Sequence, residues 1–414
     1  MRATDIYPRL IEPRLEEALD DSPAVLVHGP RQSGKTTLAQ MVGGPRGYAY
    51  LSFDDQAVLA AAKEDPVGFV DGLSSRTILD EVQRVPELFT SLKRAIDRHP
   101  GMGRFLLTGS ANLLFVPGLS DSLAGRMSIL RLHPLAQLEL AKSKTIFLDQ
   151  IFSTGLQPVS TKRLRGELAE RICAGGFPAA LRRKSWRRRL AWYRDYVETL
   201  VQRDVRDLSR IRSLDVLPRL LSAAAVETAR MMDVSKLASP FTVSRPTIRE
   251  YLTLLSRLFL VEELPAWHTN PLKRLVKQPK LHMGDTGLAC AVLDVNPRRL
   301  EEDRSLLGQM LETFVYQELR RQAGGWPNDA RFYHFRTKDK EEVDIVIESG
   351  SRIVGFEVKA AATVRSSDFR GLRKLQRVAA NRFLRGLVLY DGENMLPFGE
   401  NLYAVPIRML WEAG

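Results

Sequence analysis

Cysteine is nearly missing from this 414-residue chain, with Cys173 and Cys290 as its only two, so a disulfide framework is excluded as a source of stability. No apolar run approaches the roughly 18–20 consecutive residues that a membrane helix needs. The opening Met1-Arg2-Ala3-Thr4-Asp5 lacks the apolar stretch of a secretory signal. Internal repeats and low-complexity tracts are also missing. These absences lead us to expect a cytoplasmic protein without a membrane partner.

What is present is a globular composition, 44% hydrophobic and 27% charged, in a chain long enough for two to four domains. Basic residues outnumber acidic ones, 61 Lys+Arg against 49 Asp+Glu, a net charge of +12. Such an excess attracts polyanions, and DNA is the partner we expect, although an Arg-rich surface alone would give the same balance.

Along residues 1–135, short apolar runs alternate with helical patterns, which predicts an α/β core with a largely parallel sheet. The expected strands are Ala24–His28, Ala49–Phe53, Thr77–Asp80, Phe105–Leu107 and Ile129–Leu132. Residues 136–230 read as an irregular insertion, around Lys142-Ser143-Lys144 and Gly155-Leu156-Gln157-Pro158, followed by a helical lid. Residues 231–300 read as a winged-helix-like segment. In 301–414 the α/β pattern returns, with helices at Leu306–Gln322 and Asp368–Ala380. Strands are expected near Arg331–Arg336, Glu342–Glu348, Arg352–Lys359 and Leu384–Tyr390.

Gly29-Pro30-Arg31-Gln32-Ser33-Gly34-Lys35-Thr36-Thr37 satisfies G-x-x-x-x-G-K-[ST] between a strand and a helix, the context that a P-loop requires. Its glycines let backbone N–H groups curl around phosphates, Lys35 reaches the β- and γ-phosphates of ATP, and Thr36 ligates Mg²⁺. Thr77-Ile78-Leu79-Asp80-Glu81 is an apolar strand ending in two acids, as in a Walker B segment. Asp80 is expected at Mg²⁺ and Glu81 as the general base, with Asp54 or Asp55 as fallback bases. Thr108-Gly109-Ser110 ends another strand in hydroxyls suited to sensing the γ-phosphate. Arg126, closing Ser122-Leu123-Ala124-Gly125-Arg126 before the last strand, is a candidate arginine finger acting on a neighbouring subunit. That role implies a homo-oligomer, a ring being one form.

His28 to Thr36, Leu79-Asp80-Glu81-Val82-Gln83 and Leu107-Thr108-Gly109-Ser110 resemble the AAA-type domain of a prokaryotic P-loop ATPase family. Its members carry a C-terminal domain of unknown function, and the resemblance covers nearly the whole chain. It implies ATP binding. Gly176-Phe177-Pro178 is similar to the Gly-x-Pro element of related signalling ATPases, which implies that Pro178 lies near adenine.

Asp233–Ala238 and Val243–Leu252 look like a helix-turn-helix, with Ser244 as N-cap and Pro246 in the first turn. Arg245, Thr247 and Arg249 then face a DNA groove. A hairpin-like wing carrying Lys273, Arg274, Lys277 and Lys280 adds phosphate contacts. Winged helices also dock proteins, so a protein partner stays open. The basic run Arg182–Arg189, beside Trp186, Trp192 and Tyr193, reads as a solvated helix face with its aromatics packed inward, the alternative being phosphate contact.

In the last domain, Asp344 interrupts an apolar strand, and Glu357 and Lys359 share one face of the next, because side chains alternate with period two. D-x₁₂-E-x-K on consecutive strands resembles the PD-(D/E)xK nuclease superfamily, although Val343 stands where that pattern has proline. The resemblance implies a restriction-endonuclease-like fold. Asp344 and Glu357 would be ligands of a divalent ion, Lys359 would activate water, and Glu312 would be an accessory acid with Glu318 as runner-up. The competing reading is a structural Glu357–Lys359 pair in a domain that does not cleave.

The expected architecture is therefore α/β: a P-loop AAA-type ATPase core, a helical lid, a winged helix and a restriction-endonuclease-like C-terminal α/β domain. Its expected work is ATP-driven DNA processing in repair, recombination or defence. The alternatives are a nucleotide-switched regulator that docks proteins, and a nuclease gated by its ATPase.

Overall fold

In the computed structural model, residues 6–110, 123, 125–143, 145–154, 160–201 and 215–412 are described. Ser122, Ala124, Lys144 and 155–158, singled out above, lie outside them. The chain forms two compact units, Met1–Leu135 with Arg257–Phe259, and Ala136–Ser256 with Leu260–Gly414.

The first unit is built on five parallel strands, β1 (Ala24–His28), β2 (Ala49–Ser52), β3 (Thr77–Asp80), β4 (Phe105–Gly109) and β5 (Met127–Arg131), in the order β2-β3-β4-β1-β5. The sequence-predicted strands match these to within a few residues. Inner strands β1, β3 and β4 are buried along their whole length, which explains their uninterrupted apolar runs. Period-two alternation sorts their side chains onto two faces. Val25, Val27, Ile78 and Leu106 pack with Leu15 and Leu19 of α1 (Glu12–Asp21) and Leu38 and Val42 of α2 (Lys35–Gly43). Leu26, Leu79 and Leu107 pack with Leu59 of α3 (Gln56–Glu64), Val70 of α4 (Pro66–Asp71) and Leu92 of α5 (Leu88–Arg98). The result is a three-layer α/β/α core whose strands all end at one edge.

The second unit begins with short helical turns at Gln137–Leu140, Phe147–Asp149 and Gln150–Thr154, in the stretch expected to be irregular, followed by α6 (Gly166–Ala174) and α7 (Trp186–Thr199). On α7 the aromatics do turn inward: Tyr193 is fully buried and Trp192 nearly so. A winged-helix order follows: α8 (Val216–Val226), β6 (Arg230–Met231), α9 (Val234–Ala238), α10 (Arg245–Arg257), β7 (Val261–Leu264), α11 (Pro271–Val276) and β8 (Lys280–Met283). The three strands form an antiparallel sheet ordered β6-β8-β7. Ser244 accepts the Thr247 N–H at 3.3 Å, as expected of the α10 cap. The hairpin-like wing is present as the antiparallel pair β7–β8, with a short helix, α11, capped by Asn270 in its connection.

After α12 (Thr286–Val292) and the long α13 (Arg304–Gly325) come β9 (Arg331–Arg336), β10 (Glu342–Ser349), β11 (Arg352–Lys359), α14 (Arg370–Ala379), β12 (Phe383–Tyr390), β13 (Leu396–Gly399) and β14 (Leu402–Pro406). Their sheet runs β13-β14-β12-β11-β10-β9. Strands β9, β10 and β11 are antiparallel neighbours, whereas β11, β12 and β14 are parallel. The sequence reading anticipated four of these strands and missed β13 and β14.

Asp285 ties the second unit together. Only 1% exposed, it accepts the Gly176 N–H (2.8 Å), the Leu288 N–H (3.1 Å), the Tyr193 hydroxyl (3.1 Å) and the Arg321 guanidinium (2.9 Å). Among the described residues, no helix is long and apolar enough to cross a membrane.

Candidate functional site

Open parallel sheets place ligands beyond the C-terminal ends of their strands, and the expected nucleotide residues gather at that edge of the first unit. The loop leaving β1 turns at Gly29, with φ of 156°, where a Cβ would lie 2.1 Å from the Leu132 carbonyl oxygen. Gly34, with φ of 100°, ends the loop as the N-cap of α2. Both positions demand glycine. Lys35 is 5% exposed and donates to the Gly29 and Pro30 carbonyls at 3.1 and 2.9 Å. The Ser33 hydroxyl is buried without a hydrogen-bond partner. Arg31 is half-buried and Gln32 exposed on the same loop, and Thr37 is half-buried in α2.

Strand register brings the second half of the site together. Leu79 pairs with Leu107, and Val27 with Thr108, so β4 delivers Thr108 between the Walker B strand and the P-loop strand. Thr108 hydrogen-bonds to Asp80, and Thr36 donates to both Asp80 oxygens at 2.9 and 3.1 Å. Glu81 adopts a left-handed backbone, with φ of 60°, and Thr108 Oγ1 accepts its N–H at 3.3 Å. Gln83 bonds to the Glu81 carboxylate, and Ser110 reaches the same oxygen at 2.9 Å. Burial alone would raise the Glu81 pKa, but Lys35, Gln83, Arg31 and Ser110 together bring it below the usual carboxylate value. Glu81 is therefore held ionised. Asp54 is paired with Arg84 at 2.7 Å, and Asp55 caps α3, so neither fallback acid is free for the role.

Glycines that clear the loop, an unpartnered hydroxyl and an apposed hydroxyl–carboxylate pair fit a Mg²⁺–nucleotide. An AAA domain model matches residues 21–141. Models of two domains of unknown function match the rest, DUF8612 over residues 165–299 and DUF4143 over residues 307–410. The chain is 31% identical over 402 residues to Rv2008c of Mycobacterium tuberculosis, covering 97% of this chain and 84% of that protein. It stands equally close to Mb2031c of Mycobacterium bovis, both bearing the name "uncharacterized protein". The chain belongs to this family of AAA-type ATPases. Among solved structures it is similar to the Walker-type ATPase PABY2304 of Pyrococcus abyssi, at 17% identity and a TM-score of 0.43, covering 70% of this chain and 97% of that one.

Three residues of the family member's nucleotide site escaped the sequence reading. Tyr50 of β2 donates to Asp80 at 2.9 Å. Burial and the Asp80 charge push its pKa up to about 12, so it stays a donor. Gln83 stands two residues beyond Glu81. Arg9 grips the Ser33 and His133 carbonyls at 2.8 and 2.6 Å, bracing the loop from behind. A sequence offers no local signal for the contacts of Arg9 and Tyr50, which span 24 and 30 residues.

Arg126 stands apart from the cluster. It precedes β5, whose Met127 is level with Ala24 at the start of β1, so it lies at the opposite sheet edge from the P-loop. A five-residue strand separates the edges by roughly 16 Å, which excludes action on its own subunit's phosphates. Its guanidinium forms a two-point ion pair with Asp97, at 2.6 and 3.1 Å.

In the second unit, Pro178 opens a short helix beside Gly176, whose N–H goes to Asp285. On α10, Arg245 is exposed, Thr247 is tied to Ser244, and Arg249 pairs with Glu263 at 3.4 Å. The wing requires two corrections. Arg274 is no free phosphate ligand: it pairs with Glu348 at 3.0 Å and lies over the Tyr333 ring. Lys280 is not on the surface at all, being 2% exposed. Lys273 and Lys277 remain exposed.

Glu312, Asp344, Glu357 and Lys359 do come together, with Glu342 added. Lys280 Nζ lies 2.8 Å from Glu312, 2.8 Å from Glu342 and 3.2 Å from Asp344. Burial would discharge this ammonium, but the three carboxylates raise its pKa well above the usual lysine value. Lys359 pairs with Glu357 at 2.8 Å. Burial and the Asp344 charge push the Glu357 carboxyl up to about 8, against the opposing pull of Lys359. The residues present do not fit a divalent ion, because their centre is taken by a lysine. Among the described residues, no group of three or more His, Cys, Asp or Glu is arranged to hold a metal. Glu318, the runner-up acid, is instead bound to Arg321 and the Gln137 N–H.

Proposed function

We propose that this ATPase couples ATP binding and hydrolysis to work on DNA in the cytoplasm. The nucleotide half of the reading rests on one convergence, Lys35, Thr36, Asp80, Glu81 and Thr108 at a single sheet edge. Lys35 exchanges loop carbonyls for phosphate oxygens of ATP. Thr36 and Asp80 would hold Mg²⁺, which screens the phosphate charge during transfer. Glu81 accepts a proton from the attacking water, aimed by Gln83 and Ser110. Arg126, remote from its own P-loop, serves the nucleotide of a neighbouring copy, which requires a homo-oligomer and is satisfied by a ring. Pro178 borders the adenine.

The DNA half rests on α10. Arg245 is exposed and forms no ion pair among the described residues, and Lys273 and Lys277 extend the basic surface. The test is ATP turnover with and without single-stranded, duplex and branched DNA. Stimulation by one of them supports the reading, and unchanged turnover by an otherwise active enzyme sinks its DNA half.

One observation favours the second reading, a nucleotide-switched regulator that docks a protein. Leu272, Leu275 and Val276 of the wing helix are 73%, 82% and 83% exposed, an apolar tip better suited to a protein surface than to phosphates.

A further inference from the structure

The acid cluster of the C-terminal domain is organised around one nitrogen atom. Glu312 comes from α13, Glu342 and Asp344 from β10, and Lys280 from β8 of the winged helix. The Lys280 ammonium donates to Glu312 at 2.8 Å and to Asp344 at 3.2 Å, and its nitrogen lies 2.8 Å from Glu342. The second oxygen of Asp344 accepts the Val358 N–H at 2.9 Å. Two of the three acids are therefore turned toward the lysine from within the body of the fold, and Glu342 closes the third side from a more exposed position.

The lysine is also held from behind. All four residues of β8 are buried, and the strand is paired on one side with β6 and on the other with β7. Withdrawing Lys280 Nζ from the acids without moving this paired strand would leave an unpaired ammonium inside the protein, which is strongly disfavoured. A divalent ion would need oxygens at about 2.0–2.6 Å from a common point. The point shared by these carboxylates is occupied by the lysine nitrogen, 2.8–3.2 Å from each. Ion and ammonium cannot share it.

We propose that Lys280 is a resident cation that takes the place of a metal ion in the C-terminal domain. The domain then gathers three carboxylates around one point, while a side chain from the winged helix supplies the positive charge. The ammonium is part of the chain, so its local concentration is constant, and a free ion competes only by displacing it. The cluster consequently works as a joint between winged helix and C-terminal sheet.

The experiment is a Mn²⁺ titration, followed by electron paramagnetic resonance, on the nucleotide-free full chain. Four proteins are compared: wild type, Asp344→Asn, Lys280→Met, and the double variant. Mn²⁺ bound elsewhere is common to all four and drops out by difference. Wild type and Asp344→Asn are expected to bind the same amount. Lys280→Met should gain a site, and the double variant should lose it. Extra Mn²⁺ on wild type relative to Asp344→Asn would overturn the proposal, as would a folded Lys280→Met that gains nothing. If Lys280→Met fails to fold, the first two proteins decide alone, equal titrations supporting the proposal and unequal ones refuting it.

Discussion

Thr36 and Asp80 are hydrogen-bonded directly, the threonine Oγ1 lying 2.9 Å from one carboxylate oxygen and 3.1 Å from the other. The P-loop helix and the Walker B strand are thus already in register for a shared ligand. Disturbing the phosphate cradle and disturbing the base should therefore separate cleanly. Lys35→Ala is expected to abolish ATP binding, whereas Glu81→Gln keeps binding and lowers turnover by about 10²-fold or more. Nucleotide binding by fluorescence and phosphate release check both. Wild-type turnover in Glu81→Gln would remove it from the base role.

The Glu81 pKa gives a pH prediction with a definite sign. Its folded value is lowered, so the base stays ionised as pH falls, until that depressed value is reached. Gln83→Ala removes one of the lowering contacts and leaves burial, which raises the pKa, less opposed. The acid limb of the kcat profile should move to higher pH, with ATP affinity little changed. An unshifted limb would mean that Gln83 does not position the base.

Arg126 offers a complementation test. Lys35→Ala subunits keep Arg126, and Arg126→Ala subunits keep a complete P-loop. Mixing the two should restore part of the lost hydrolysis if the arginine acts between subunits. Mixed oligomers that stay inactive would leave Arg126 as a structural partner of Asp97.

Glu357 predicts how stability depends on pH. Its folded pKa is raised from 4.5 to about 8, so its contribution is fully present below about pH 4.5 and is lost as pH rises through about 8. Relative to wild type, Glu357→Gln should gain stability over that window, on the order of 1–3 kcal/mol by its upper end. Denaturant melts across the range supply the comparison, and parallel profiles would contradict it.

On duplex DNA, Arg245→Ala should reduce the slope of log affinity against log salt by about 0.9 if it holds one phosphate. Arg274→Ala should leave the slope alone and cost about 0.5–1.5 kcal/mol of stability, because it removes one partner of Glu348 and leaves Arg382 and Trp267. The reverse pattern would move the binding surface from α10 to the wing.

Much of this architecture could be read from the chain because the signals were local. Val25–Val27, Ile78–Leu79 and Phe105–Leu107 are apolar runs too short for helices and bounded by turns, and all lie in buried strands. The P-loop is contiguous, so its chemistry was visible as well. The misplaced basic residues share one cause, charge partners distant in sequence. Lys280 looked like a wing lysine because Glu312 and Asp344 lie 32 and 64 residues further on. Arg274 looked free because Glu348 is 74 residues away. A positive side chain in a basic chain carries no mark that distinguishes solvent from a buried acid, and only the fold supplies one.

Asp285 has a consequence for how the second unit comes apart. One buried carboxylate holds donors from Gly176, Tyr193, Leu288 and Arg321, so releasing any one of those segments leaves the other donors with an altered partner. Local opening is then not a graded fraying of single helices. Amides in α6, α7, α12 and α13 should exchange their hydrogens together, at the free energy of the whole group, while the exposed wing helix exchanges independently and far sooner.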